Sequence, residues 1–398
     1  MRRLDVAIAG AGIAGLAAAI AFALRGHRIR LYEQAPQLTE IGAGLQLSPN
    51  ATRILDRLGV LGRLETAAAR PQAVRIVDAA SLGEIARVPL GDAVERWGAP
   101  YIVAHRADLQ EALLARAAEL GVRPETGVQV AGARFDAERP ALVFENGTEP
   151  FDLVVGADGV HSRTRQAIGG RASRDARQTA WRATFASDHP ALVPLAGSGE
   201  LAHGVTAFVH PGFHMVAYPL RGGASVNFAG FTPAMSEAGR DQRGQWALSD
   251  GTDGLRHAMR ATAPSLRALA GVSDAWTSWP VRTVPQGSRW SDPRGLALIG
   301  DAAHAMTPFA AQGAAMAIED AAGIAAAIEA EGSVAAALAR WEAARRARVR
   351  RVALRGAWNG FTWHVGWPAA PIRNVILKVL GPERLAAQLD WLYGYDPG

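Results

Sequence analysis

Hydrophobic and polar positions follow two rhythms along the chain. Residues 4–9 form a short apolar run of strand character, and residues 13–25 place their apolar positions at helical spacing, with Gly26 as the stop. Residues 28–32 read as a second strand that ends at Glu33. Two more buried strands are expected at 152–156 and 296–299, each running into a glycine and an acid. From about residue 177 to 290 the rhythm changes to short runs at 179–185, 204–209, 213–218 and 224–231. Turn clusters such as His210-Pro211-Gly212 and Arg221-Gly222-Gly223 separate them, the pattern of an antiparallel sheet. A long helix is predicted from Ser333 to about Phe361, and residues 371–391 continue a helical cover. The pattern predicts an α/β protein. A Rossmann-like domain spans 1–176 and resumes at 291–330, a mainly antiparallel β-sheet domain spans 177–290, and a C-terminal helical segment spans 331–398.

Composition narrows the class. The 398 residues, 49% hydrophobic with mean hydropathy +0.03, exceed what one compact core usually serves. The absence of cysteine excludes disulfides, thiolate metal sites and a cysteine nucleophile, and it suits a reducing cytoplasm. The net charge is +5, carried almost wholly by arginine, with Lys378 the one lysine. Basic residues alternate with acids, so nucleic acid is not an expected partner, whereas small anions and pyridine nucleotides are. Met1-Arg2-Arg3 and the apolar run behind it resemble an export signal, but Asp5 and three spaced glycines argue against one. No uninterrupted run reaches the roughly 18 residues of a membrane span.

The glycines are Gly10, Gly12 and Gly15 in Gly10-Ala11-Gly12-Ile13-Ala14-Gly15, between the first strand and the first helix. Gly10 permits the tight turn, Gly12 lets the backbone approach a pyrophosphate, and Gly15 lets helix and strand pack closely. Unpaired N–H groups at the helix start, with its positive dipole end, complete a phosphate cradle. Glu33 follows close to the expected interval of about 20 residues and can accept hydrogen bonds from an adenosine ribose. This motif specifies an ADP-containing dinucleotide, NAD or FAD.

Two further motifs lie downstream. One is Asp152-Leu153-Val154-Val155-Gly156-Ala157-Asp158-Gly159, with Ser162, Arg163 and Arg165 after it. The other is Leu296-Ala297-Leu298-Ile299-Gly300-Asp301-Ala302-Ala303-His304, followed by Pro308, Gln312-Gly313-Ala314 and a helical run bearing Glu319 and Asp320. With His105-Arg106-Ala107-Asp108-Leu109 and the tail Asp390-Trp391-Leu392-Tyr393-Gly394, this ordered set resembles the single-component FAD-dependent aromatic hydroxylases. The likeness is greatest to the branch of salicylate, 3-hydroxybenzoate and 6-hydroxynicotinate hydroxylases. It implies resident FAD, with NADH or NADPH as a transient reductant. Asp301 would meet a ribityl hydroxyl, and the backbone at Gly313 and Ala314 the pyrimidine edge of the flavin. Arg106 would bind the ribityl-phosphate region, Val130 would lie by the adenine, and Asp158 near the flavin and pyrophosphate. Gly10, Gly12, Ala14, Gly15 and Glu33 would hold the ADP half. His304 is expected to be structural.

In the middle sheet, alternation puts His214, Val216 and Tyr218 on one face and Phe213, Met215 and Ala217 on the other. A histidine can take a phenol proton and a tyrosine can donate to the same oxygen, so His214 and Tyr218 are the candidate catalytic pair. Related ring hydroxylases carry such a pair. Arg182, Arg221 and Arg282 are candidates for a substrate carboxylate, and Gln46, Pro308 and Phe309 should lie near the flavin. The stretch Trp279-Pro280-Val281-Arg282-Thr283-Val284 departs from the tyrosine and acid that relatives often carry there. Arg345, Arg346, Arg348, Arg350 and Arg351 read as a solvated helix face with ion pairs, and Trp358, Trp363 and Trp367 as packing against the core or a second subunit.

The expected activity is therefore hydroxylation of a phenolic, carboxylated ring by O2 through a C4a-hydroperoxyflavin, in a cytoplasmic monomer or homodimer. A reductase or dehydrogenase acting on a non-aromatic substrate, and a non-catalytic FAD-binding protein, are the alternatives. A flavin halogenase is disfavoured because its lysine has no counterpart: Lys378 lies in the tail.

Overall fold

In a computed structural model of the chain, residues 3–38, 44–195, 200–234 and 252–397 are described. Met1, Arg2, Gly42 and Ala43 lie outside them. Two sheets dominate. The first has six strands in the order Ser291–Asp292, Leu296–Leu298, Leu153–Gly156, Asp5–Ala9, Arg28–Glu33 and Pro124–Thr126. All its neighbours run parallel except the edge strand Ser291–Asp292. Asp5–Ala9 is central because it is buried along nearly its whole length, as a parallel strand covered on both faces must be. The apolar helix Ile13–Ala23 covers the sheet and packs on a second buried helix, Gly313–Ala330. Both helices begin at the carboxyl ends of the parallel strands, the edge where open α/β sheets bind ligands.

The second sheet has seven strands in the order Thr277–Thr283, Arg174–Ala186, Ser225–Pro233, Phe213–Leu220, Val205–His210, Ala73–Asp78 and Glu84–Pro89. The four runs expected at 179–231 are all present. Two strands, however, come from the segment that the chain pattern assigned to the first domain: Ala73–Asp78 joins in parallel to Val205–His210 and brings Glu84–Pro89 with it. The physical reason is burial. Val74, Ile76 and Val88 complete a wall that Val205 and Ala207 begin, and this edge would otherwise stand open.

Alternation along Phe213–Leu220 holds as expected. Phe213, Met215 and Ala217 enter a small core with Trp181, Phe185 and Phe228, beneath the helices Asp253–Met259 and Pro264–Leu269. His214, Val216 and Tyr218 face the other way, toward the first sheet.

The long helix spans Val334–His364, and the Ser333 hydroxyl caps it by accepting from Ala336 N at 3.2 Å. Arg350 and Arg351 are exposed and Arg346 pairs with Glu342, as the solvated face suggested by the sequence requires, but two of the helix's arginines turn inward. Arg345 and Arg348 are 1% and 6% exposed, because Glu319 and Asp320 on the helix Gly313–Ala330 lie directly opposite. The tryptophans divide as well: Trp363 is part-buried, but Trp358 and Trp367 are 60% and 88% exposed and pack no core. No helix among the described residues is long and apolar enough to cross a membrane.

Candidate active site

A cavity of about 770 Å³ separates the strand ends of the first sheet from the inner face of the second. It brings together Gly12, Ala14, Arg106, Asp301, Gly313 and Ala314 from the nucleotide side with Gln46, Arg182, His214, Tyr218, Pro308 and Phe309. Gly10 and Gly15 lie behind the turn. Gly10 adopts φ +101°, and a Cβ on Gly15 would sit 1.9 Å from Gly10 O, so the turn tolerates no side chain there. Gly12 differs, since a Cβ there would meet nothing within 4 Å. Its space belongs to the cavity.

The remaining acids shape the loops. Glu33 accepts from Ala11 N and Ala35 N, both at 2.9 Å, tying the glycine turn to the second strand. Val130 follows Val128, whose N–H donates to Glu33 O, so it lies beside the same strand end. Asp158 spends its carboxylate on Arg163 N, Thr164 N and Thr164 Oγ1 at 2.8–3.0 Å, which folds the turn after Leu153–Gly156. Asp301 instead is exposed to the cavity, at the start of the short helix Asp301–His304.

On the sheet side, His214 is 1% exposed and ringed by Phe231, Phe309 and Trp363 at 4.9–5.0 Å between centroids. Its Nδ1 lies 3.0 Å from Nε2 of His364. Burial, and next the neighbouring His364, hold His214 well below the ordinary histidine range, so it is neutral at physiological pH. Burial pushes the Tyr218 phenol up, against the opposing charge of Arg182, so Tyr218 keeps its proton. The Arg182 guanidinium lies over the Trp279 ring at 4.5 Å. Arg221 and Arg282 are not brought to the cavity: Arg221 is exposed and faces Asp108 at 3.9 Å, and Arg282 bonds Ser173.

The donors fit a flavin dinucleotide. Two helices, Ile13–Ala23 and Gly313–Ala330, open onto one cavity with no side-chain cap, which leaves their first N–H groups for a ligand. One start suits a pyrophosphate, and the other an electron-rich ring edge. FAD offers both, together with a ribityl chain for Asp301.

Comparison with known proteins agrees. A family model described as FAD binding domain matches residues 3–355. The chain is 32% identical to a 3-hydroxybenzoate 6-hydroxylase of Polaromonas naphthalenivorans (strain CJ2), over 99% of this chain and 97% of that one. The chain belongs to the FAD-dependent aromatic hydroxylases. This hydroxylase is also 34% identical to a 6-hydroxynicotinate 3-monooxygenase of Bordetella bronchiseptica, over 80% of each. Its fold matches Klebsiella pneumoniae HpxO complexed with FAD and uric acid, with TM-score 0.81 and 25% identity, covering 97% of this chain and 95% of that one. FAD is its cofactor, and NAD(P)H and O2 are the co-substrates typical of the family.

Several residues of the hydroxylase site went unread in the sequence. Tyr101 is buried and donates to Gln46 Oε1 at 2.7 Å, fixing that amide toward the cavity. Arg355 lines the wall, and its buried Nε has no hydrogen-bond partner among the described residues. Between the helix Gly313–Ala330 and the long helix lies an ion network. His304 Nε2 is 2.5 Å from Asp320 Oδ2, Arg345 bridges Asp320 and Glu319, and Arg348 adds to Glu319. Asn50 donates to Glu319 and to Gln312, the residue that starts the helix at Gly313. His304 is tied into this network through Asp320, an arrangement in keeping with the structural role expected of it. Burial pulls Asp320 upward, but the charges of His304 and Arg345 prevail and hold its carboxyl below the usual range.

Proposed function

We propose that this hydroxylase acts on a phenolic ring bearing a carboxylate, and that His214 ionises the ring hydroxyl. The observation that carries the proposal is a buried, neutral imidazole and a protonated tyrosine on one face of the same strand, both lining the cavity across from the helix Gly313–Ala330. Neutral His214 can accept the phenol proton, and Tyr218 can donate to the oxygen left behind, because burial keeps its own proton in place. The resulting phenolate ring is electron-rich, as electrophilic hydroxylation requires. Arg182 supplies a cation for the carboxylate, and Gln46, held by Tyr101, offers a fixed amide. Pro308 and Phe309 keep water from the reacting edge. Bound FAD supplies the reductive activation of O2 when NADH or NADPH reduces it.

The cofactor would be held by Gly10, Gly12, Ala14, Gly15 and Glu33 at its ADP half, with Val130 and Asp158 bordering them. Arg106, Asp301, Gly313 and Ala314 would hold the flavin half. The relatives named above as acting on 3-hydroxybenzoate and 6-hydroxynicotinate support a small aromatic acid as substrate. The cysteine-free sequence accords with a cytoplasmic enzyme, working as a monomer or homodimer. A panel of hydroxybenzoates and hydroxypyridinecarboxylates tests the proposal, with NADH consumption and incorporation of labelled O2 as readouts. Label in a ring hydroxyl is the expected result. Peroxide alone across the whole panel would overturn it.

A further inference from the structure

We propose that His364 is a proton relay, carrying to solvent the proton that His214 takes from the substrate. This inference rests on the function proposed above and extends it to a residue outside the cavity.

A buried base has a difficulty that an exposed one lacks. His214 is 1% exposed and walled by Phe231, Phe309 and Trp363, so a proton it accepts from a ring in the cavity must leave either back past that ring or through a hydrogen-bonded neighbour. Its Nδ1 lies 3.0 Å from His364 Nε2. His364 does not line the cavity; it is the last residue of the helix Val334–His364 and is only part-buried. Just beyond it, Gly366 packs against Pro211 of the exposed turn between Val205–His210 and Phe213–Leu220. The two imidazoles therefore lead from the cavity through the aromatic wall to the surface.

The nearby elements carry few competing charges. His210 bonds Pro211 O, Arg373 donates to the carbonyls of Thr362 and Trp363, Arg182 lies over Trp279, and Arg355 is set into the cavity wall. Burial and His364 act on His214, and burial alone acts on His364.

The transfer balances. The ring O–H gives its proton to His214 Nε2, the Nδ1 proton of His214 passes to His364 Nε2, and His364 Nδ1 releases its own to water or a buffer base. The ring becomes a phenolate, the solvent gains one proton, and each imidazole has exchanged tautomers. Reprotonation of the product along the same path restores both.

The test uses the holoenzyme and a ring acid that the panel identifies as a substrate. Anaerobic stopped-flow mixing with a pH-indicator dye measures proton release on binding, without any hydroxylation. In His364→Ala the release should slow about tenfold, less than the hundredfold or more expected for loss of the base itself. Added imidazole should restore part of the rate. His364→Gln preserves a side chain that can hydrogen-bond His214 but cannot pass a proton through, so it should show the same slowing without rescue. Release as fast as wild type in either variant, or slowing that imidazole leaves untouched in His364→Ala, would overturn the relay while leaving the hydroxylase function standing. If no member of the panel is hydroxylated, the function proposal fails and the relay fails with it.

Discussion

Two histidines of this protein are buried to a similar degree, yet their surroundings give them opposite capacities. His304, 7% exposed, sits 2.5 Å from Asp320, within a lattice of two carboxylates and two arginines. His214, 1% exposed, has aromatic rings on its flanks and a second imidazole as its polar partner. A carboxylate 2.5 Å away anchors the first ring within the ion network. A neutral partner leaves the second able to gain a proton and to pass it on. Burial thus does not by itself mark a base; the charge of the neighbour does.

Breaking the ionic region should have the largest effect. Arg345→Ala removes the buried arginine of Asp320 and leaves Glu319 to Arg348 alone, and it should cost about 3–5 kcal/mol of stability, read by denaturant unfolding. A loss below about 1 kcal/mol would mean that the lattice does not hold the helix Gly313–Ala330 to the long helix. Next comes chemistry. His214→Asn should lower turnover by at least about a hundredfold with FAD content unchanged, whereas His304→Asn should reduce stability and FAD retention and spare turnover per bound flavin. Equal turnover losses in the two variants would erase the distinction.

The smallest effect sharpens the comparison through pH. His214 and His364 both titrate below the ordinary value of 6.5 in the folded chain. As pH falls below 6.5 the unfolded chain therefore binds protons that the folded chain refuses, and stability drops. His214→Asn removes one such group. Its stability should fall less than that of wild type on acidification, by about 1.4 kcal/mol per pH unit at most, read as a smaller drop in melting temperature.

The nucleotide half was legible in the sequence because its determinants are local. Gly10, Gly12 and Gly15 act within one turn, and the strand runs ending at Gly156 and Gly300 identify themselves by apolar content. The face shared by His214 and Tyr218 was legible too, since alternation is a property of a single strand. What stayed hidden needs partners distant in sequence. Nothing within residues 73–89 announces pairing with 205–210. The polar stripe holding Arg345 and Arg348 has the same pattern whether it meets water or Glu319 and Asp320. His364 acquires its meaning only where the end of one helix meets the start of a strand, and the exposure of Trp358 and Trp367 depends on which distant elements reach them.

The interleaving of the two sheets has a consequence for how the molecule is made. The central strand Asp5–Ala9 pairs early with Arg28–Glu33, but its sheet is complete only when Leu296–Leu298 arrives beside Leu153–Gly156. Likewise Ala73–Asp78 must await Val205–His210. A ribosome delivering this chain therefore exposes unfinished edges of both lobes until three-quarters of the protein has emerged. Neither lobe can mature ahead of the other, so truncations made at either lobe boundary should yield aggregates rather than working fragments.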